Sequence, residues 1–109
     1  MAWEKLAYDA MPWEAGVPPL ERKKIAAGCG ATLRRFEPGF EDPNVCTNGH
    51  AGYVIEGVLQ LELDAVVLDI GHGDGFVLDP GTRHRARNPG PRPVALFIVP
   101  RESAESPRG

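Results

Sequence analysis

The sequence predicts an all-β chain that closes into a barrel or a sandwich. Three observations point there. Several short stretches alternate apolar and polar residues with period two, Leu59, Leu61 and Leu63 against Gln60 and Glu62 being the clearest. Turn-forming pairs and triplets rich in Gly, Pro, Asn and Asp separate these stretches. No helix of ordinary length is evident, and no repeat period suggests a solenoid or propeller.

The elements follow in order. Residues 1–20 read as an arm, because Pro12, Gly16, Pro18 and Pro19 interrupt any regular element. The arm carries both tryptophans, Trp3 and Trp13. Aromatics of that size predict packing on the barrel or on a neighbouring subunit. A single barrel is expected over 21–100 and a polar tail over 101–109. Residues 22–27 and 31–37 are short segments around Gly28, Cys29 and Gly30. In the second, Leu33 and Arg35 face away from Thr32, Arg34 and Phe36. Residues 38–49 read as a long loop. Strands are expected at 50–56, 58–63, 66–70, 76–78, 84–86 and 94–99. Their turns fall at Gly57, Asp64–Ala65, Gly71–Gly75, Asp79–Thr82 and Asn88–Pro91.

Length and composition bound the function. A chain of 109 residues suits one domain, and 42% apolar residues argue against wholesale disorder. A net charge of -3 and a pI near 5.6 give no basic field for nucleic acid. Arg83, Arg85 and Arg87 share one strand face, which predicts a solvated outer surface or dimer rim, with an anion site as the alternative. No apolar run is long enough to cross a membrane, and the acidic N-terminus is no secretory signal. A cytoplasmic protein is expected. The two cysteines, Cys29 and Cys46, are too few for a disulfide scaffold, and a single bridge between them stays open.

Two histidines stand where chemistry is easily placed. His50 opens a strand after a loop, and His84 opens another after a turn. A rigid strand start beside an open loop suits a ligand. Cys46 and Asn44 lie just before His50, two residues apart. Two imidazoles and a thiolate can hold a transition metal such as Zn. The structural alternative is that both histidines hydrogen-bond loops and Cys46 is a small buried hydrophobe. His72, between two glycines, is expected to be exposed. Asp74 is expected to stabilise its turn through its side chain. Glu56 and Asp79, beside turns, read as structural. Neither a phosphate loop nor a Ser-His-Asp arrangement is readable.

Residues 39–88 resemble the barrel of the cupin superfamily. GYVIEGVLQLEL is similar to that family's first motif around its glycine, here Gly57. GDGFVLDPGTRHRARN is similar to its second, through Gly73, Asp74, Gly81, His84 and Asn88, with Pro80 one residue late and Asp79 in the proline's place. The resemblance implies an all-β double-stranded β-helix, or jelly roll. Metal-binding members use His-x-His, then Glu, then a later His. Counting from Gly57, those positions are Asn44, Cys46, His50 and His84, so only His84 keeps its usual type. The resemblance implies one divalent transition metal (Zn, Mn, Fe or Ni) at Cys46, His50 and His84, with Asn44 the weakest ligand. It also implies an inward pocket with Gly52, Val54, Phe76, Leu78 and Ala86 around a small organic ligand. Tyr53 points away from His50, against a His/Tyr acid–base pair of the epimerase kind.

The resemblance allows three functions. The first is a metal-dependent enzyme of dioxygenase, isomerase or hydrolytic type. The second is a non-catalytic small-molecule binder or sensor. The third is a metal-free assembly module. A homodimer is expected, paired through sheet edges and N-terminal segments, with no nucleic-acid or membrane partner.

Overall fold

The computed structural model describes residues 2–102, so most of the expected tail lies outside the described residues. Nine strands follow a 3₁₀ turn at Tyr8–Ala10: β1 Glu14–Ala15, β2 Glu21–Ile25, β3 Thr32–Phe36, β4 His50–Glu56, β5 Val58–Leu63, β6 Val67–Gly71, β7 Gly75–Leu78, β8 His84–Arg87 and β9 Val94–Pro100. They form two antiparallel sheets. One has six strands in the order β1-β2-β3-β9-β4-β7, the other three in the order β6-β5-β8. This is the all-β jelly-roll architecture that the sequence predicts.

Register sorts the side chains. On β3 and β9, Phe36 pairs Val94, Arg34 pairs Leu96 and Thr32 pairs Ile98. On β5 and β8, Leu61 pairs Ala86 and Leu63 pairs His84. These positions face the other sheet, and Phe36, Val54, Leu59, Leu61, Val94 and Leu96 make one buried core. The opposite parity carries charge on the small sheet. Arg85 and Arg87 there meet Glu62, and Arg85 also meets Glu41. The arginine face is thus an outer surface paired with acids.

Two glycine positions govern the fold's geometry. Gly57 joins β4 to β5 at φ +80, where a Cβ would lie 2.3 Å from the Pro93 carbonyl oxygen. Only glycine fits both the backbone conformation and the close approach. At Gly52 a Cβ would meet the Phe76 ring at 2.5 Å, so the missing side chain lets that ring lie across β4.

Several local expectations are sharpened. Both cysteines are free, so no Cys29–Cys46 bridge forms. The turn after β6 is held by main-chain bonds, Gly73 N to Val54 O and Asp74 N to Gly71 O, and among the described residues the Asp74 side chain makes no hydrogen bond there. The arm contains the two-residue strand β1, which proline and glycine content hid. Tyr8 donates to Ala31 O and its ring meets Phe97 edge-on, while Lys24 donates to Tyr8 O and stands 4.7 Å above the Trp13 ring. Trp3, however, is 72% exposed on the single chain. Among the described residues, no helix is long and apolar enough to cross a membrane.

Candidate metal centre

The space between the sheets holds a cavity of about 310 Å³. That is the lower end of the range for small-molecule pockets. Its apolar wall comes from both sheets, with Phe36, Phe76, Leu78 and Leu96 from the large sheet and Leu59 and Leu61 from the small one.

At one end stand Cys46, His50 and His84. Their ligand atoms all lie within 4.8 Å of one another. Each is positioned by backbone. His50 starts β4 and pairs Leu78 of β7, while also pairing Pro100 of β9. His84 starts β8 opposite Leu63. Cys46 is brought in by a reciprocal bridge: its N–H donates to His84 O at 2.8 Å and its carbonyl accepts from His84 N at 2.9 Å. The loop that carries the thiol is therefore clamped to the strand that carries the imidazole.

The donor chemistry suits a transition metal. His84 Nδ1 lies 2.9 Å from the Thr82 carbonyl oxygen. A carbonyl only accepts, so Nδ1 carries the proton and Nε2 keeps its lone pair for a ligand. The His50 and His84 rings sit 5.6 Å apart at 82°. Burial, followed by the nearby His84 and Arg34, holds the His50 pKa below the ordinary imidazole value. His50 therefore stays neutral, the form that binds metal. The Cys46 Sγ accepts from Asn48 N at 3.5 Å. Thiolate and neutral imidazole together are ligands that Zn and its neighbours accept readily. Cys46, His50 and His84 thus form a cluster that can coordinate a divalent metal.

Asn44 lines the same cavity, as do Phe76, Leu78 and Ala86. Gly52 and Val54 share the inward parity of His50 but do not line it. Gly52 is covered by the Phe76 ring, and Val54 is fully buried in the core below. Tyr53 is exposed on the outer face, and His72 is exposed in its turn. Glu56 and Asp79 make ion pairs with Arg35 and Arg101. The cavity also holds Glu21, Arg34 and Asp42, which sequence reasoning did not place there. Period two put Arg34 on the face of Thr32 and Phe36, but nothing in the sequence marked that face as inward.

Residues 33–100 match the family model described as the cupin domain. The chain belongs to the cupin family. Solved cupin-fold structures agree. KdgF from a Halomonas species is 26% identical, with 84% of this chain and 89% of that one covered at a TM-score of 0.69. A sugar phosphate isomerase of the cupin superfamily from Silicibacter pomeroyi is 20% identical over 92% and 76%, with a TM-score of 0.73. The polyketide cyclase RemF from Streptomyces resistomycificus is 19% identical over 94% and 82%, with a TM-score of 0.71. The last two show the likeness of fold alone. No curated protein sequence matches this cupin.

Proposed function

We propose that this cupin is a metal-dependent enzyme acting on a small organic molecule, with one divalent transition metal held by Cys46, His50 and His84. The observation that carries the reading is the convergence of one sulfur and two imidazole donors at the end of a largely apolar cavity. When bound, such an ion polarises a substrate oxygen or activates water. The chain's own residues do the rest. Thr82 fixes the His84 tautomer, the Cys46–His84 bridge fixes the loop, and the apolar walls exclude water around the ligand. Asn44 is the candidate for a weak additional ligand. Structural neighbours carry names as different as isomerase and cyclase, so the reaction type belongs to the cavity and not to the fold.

Metal content tests this. Purified protein, loaded in turn with Zn, Mn, Fe and Ni under reducing conditions, is expected to retain one of them at near one equivalent. Cys46→Ser and His84→Ala should each weaken retention by about tenfold or more, while His72→Ala should leave it unchanged. Failure of every ion to bind would remove the proposal.

A homodimer is part of the same reading. The outer face of the large sheet leaves Tyr53, Ile55 and Val77 at 51, 49 and 62% exposure, neighbours across β4 and β7. The exposed Trp3 belongs to the arm, whose Tyr8 meets Phe97 opposite Tyr53 on this same face. Apolar area of this kind favours a second copy.

A further inference from the structure

We propose that Gly52 and Phe76 together set the size of ligand that the cavity accepts, with the Phe76 ring as its specificity-determining wall, a reading that rests on the cavity being the ligand site.

The inward face of β4 changes character at every second residue. His50 belongs to the metal cluster, Gly52 carries no side chain, and Val54 is fully buried in the core. Whatever covers Gly52 therefore marks where open space ends and packed core begins. The cover is Phe76, the cross-strand partner of Gly52 on β7. A Cβ at Gly52 would stand 2.5 Å from the ring's Cζ and 2.6 Å from its Cε1. The tip of the ring thus fills the place where a side chain at 52 would begin. Phe76 also lines the cavity, as do His50 and Leu78, the next inward pair on the same two strands.

The sheet decides which group gives way when residue 52 grows. Gly52 pairs with Phe76 on one side and with Ile98 of β9 on the other. Strand β4 lies inside the sheet, so it cannot retreat without breaking ladder bonds to both neighbours. The ring is the free end of a side chain and turns more easily than the strand moves. It is packed against the core on one side and borders the cavity on the other. A packed core has no room for it, so the cavity takes it.

Glycine at 52 therefore keeps the ring folded onto β4 and the cavity deep. A methyl group there turns the same ring into a plug. Truncating Phe76 does the reverse and extends the cavity toward Val54. The filter acts on the ligand's apolar body, whichever polar group meets the Cys46, His50 and His84 end. Because one contact joins the two residues, their effects on ligand size are coupled and not additive.

The lining's charge guides the choice of probe. Glu21 and Asp42 line the cavity with Arg34, and Arg34 is already paired with Glu21. Neutral probes avoid the net negative charge that this leaves. Phenol, 4-ethylphenol and 4-butylphenol are titrated by calorimetry near neutral pH into zinc-loaded and chelator-treated protein. The readout is the affinity for 4-butylphenol relative to phenol. Against the parent protein, this ratio is expected to fall about tenfold or more in Gly52→Ala and to rise about tenfold or more in Phe76→Ala. In the double variant it should match Phe76→Ala, because the added methyl group no longer has a ring to displace. Phe76→Leu serves where the larger truncation unfolds the chain. The double variant relieves the contact, so it serves where Gly52→Ala alone does not fold. A ratio unchanged in either single variant, an equal fall from Gly52→Ala with and without the ring, or no binding by any phenol would each overturn the assignment. Metal content is read on the same samples. Loss of metal with the ratios moving as expected would strike the metal reading and spare this one, and intact metal with unmoved ratios would do the opposite.

Discussion

Residue by residue, the cavity's polar groups have different physical tasks. Asp42 shows this. Its carboxylate accepts from Ala86 N at 2.7 Å and so ties the 38–49 loop to β8. Burial raises its pKa, and the Ala86 amide offsets this only in part. A carboxyl whose folded pKa is raised contributes stability that is fully present below its unfolded pKa and lost as pH rises through the folded value. That contribution therefore shrinks as the pH rises. Asp42→Asn keeps an acceptor for Ala86 and carries no charge. It is expected to melt higher than the parent protein at pH 7 and equal to it below about pH 4. Thermal melts across that range check the sign, and a lower melting point at pH 7 would refute it. His50 and His84 were legible in the sequence because both open strands. Cys46 was legible from its place in the loop just before His50, and the count back from Gly57 set it at a ligand position. Arg34, Glu21 and Asp42 were not legible, because charged residues facing a barrel interior break the binary pattern that sequence reading depends on.

At the scale of elements, loops and strands are joined by single buried groups. Asn88 directly follows β8 and is almost fully buried. Its Nδ2 donates to Phe36 O and Arg92 O, and its Oδ1 accepts from Gly90 N. Its backbone exchanges bonds with the other loop, donating to Phe40 O and accepting from Gly39 N. Asn88→Ala would leave the Phe36 and Arg92 carbonyls without these donors. A loss of about 2–4 kcal/mol is expected from chemical denaturation, against under about 0.5 for an exposed control such as His72→Ala. The strands themselves were readable from period two and turn residues, and their ends moved by only a residue or two. The hidden features had no local signal. The register shift between Val54 and Glu56 on β4 arises from pairing with β9. The strand β1 exists because β2 offers it an edge.

For the whole molecule, the two faces of the large sheet divide the work. The inner face builds the cavity, and the outer face carries the arm and the exposed Tyr53, Ile55 and Val77. If that outer face pairs two copies, light scattering should return twice the 11.8 kDa chain mass. Tyr53→Glu combined with Val77→Glu should halve it without lowering metal content. A monomeric parent protein would contradict the dimer. The cupin fold was legible because Gly57, Gly73, Gly81 and His84 fall at turn and strand positions that the structure uses. The oligomer was not, because one chain's sequence does not show which apolar face meets a partner.

The most direct test of the central claim is the absorption spectrum of the cobalt-substituted protein. A Co(II) ion held by the Cys46 thiolate with His50 and His84 is expected to show sulfur-to-metal charge-transfer bands in the near ultraviolet. Those bands should vanish in Cys46→Ser and weaken in His84→Ala. A spectrum without charge-transfer bands, or bands unchanged in Cys46→Ser, would contradict a metal centre built on Cys46, His50 and His84.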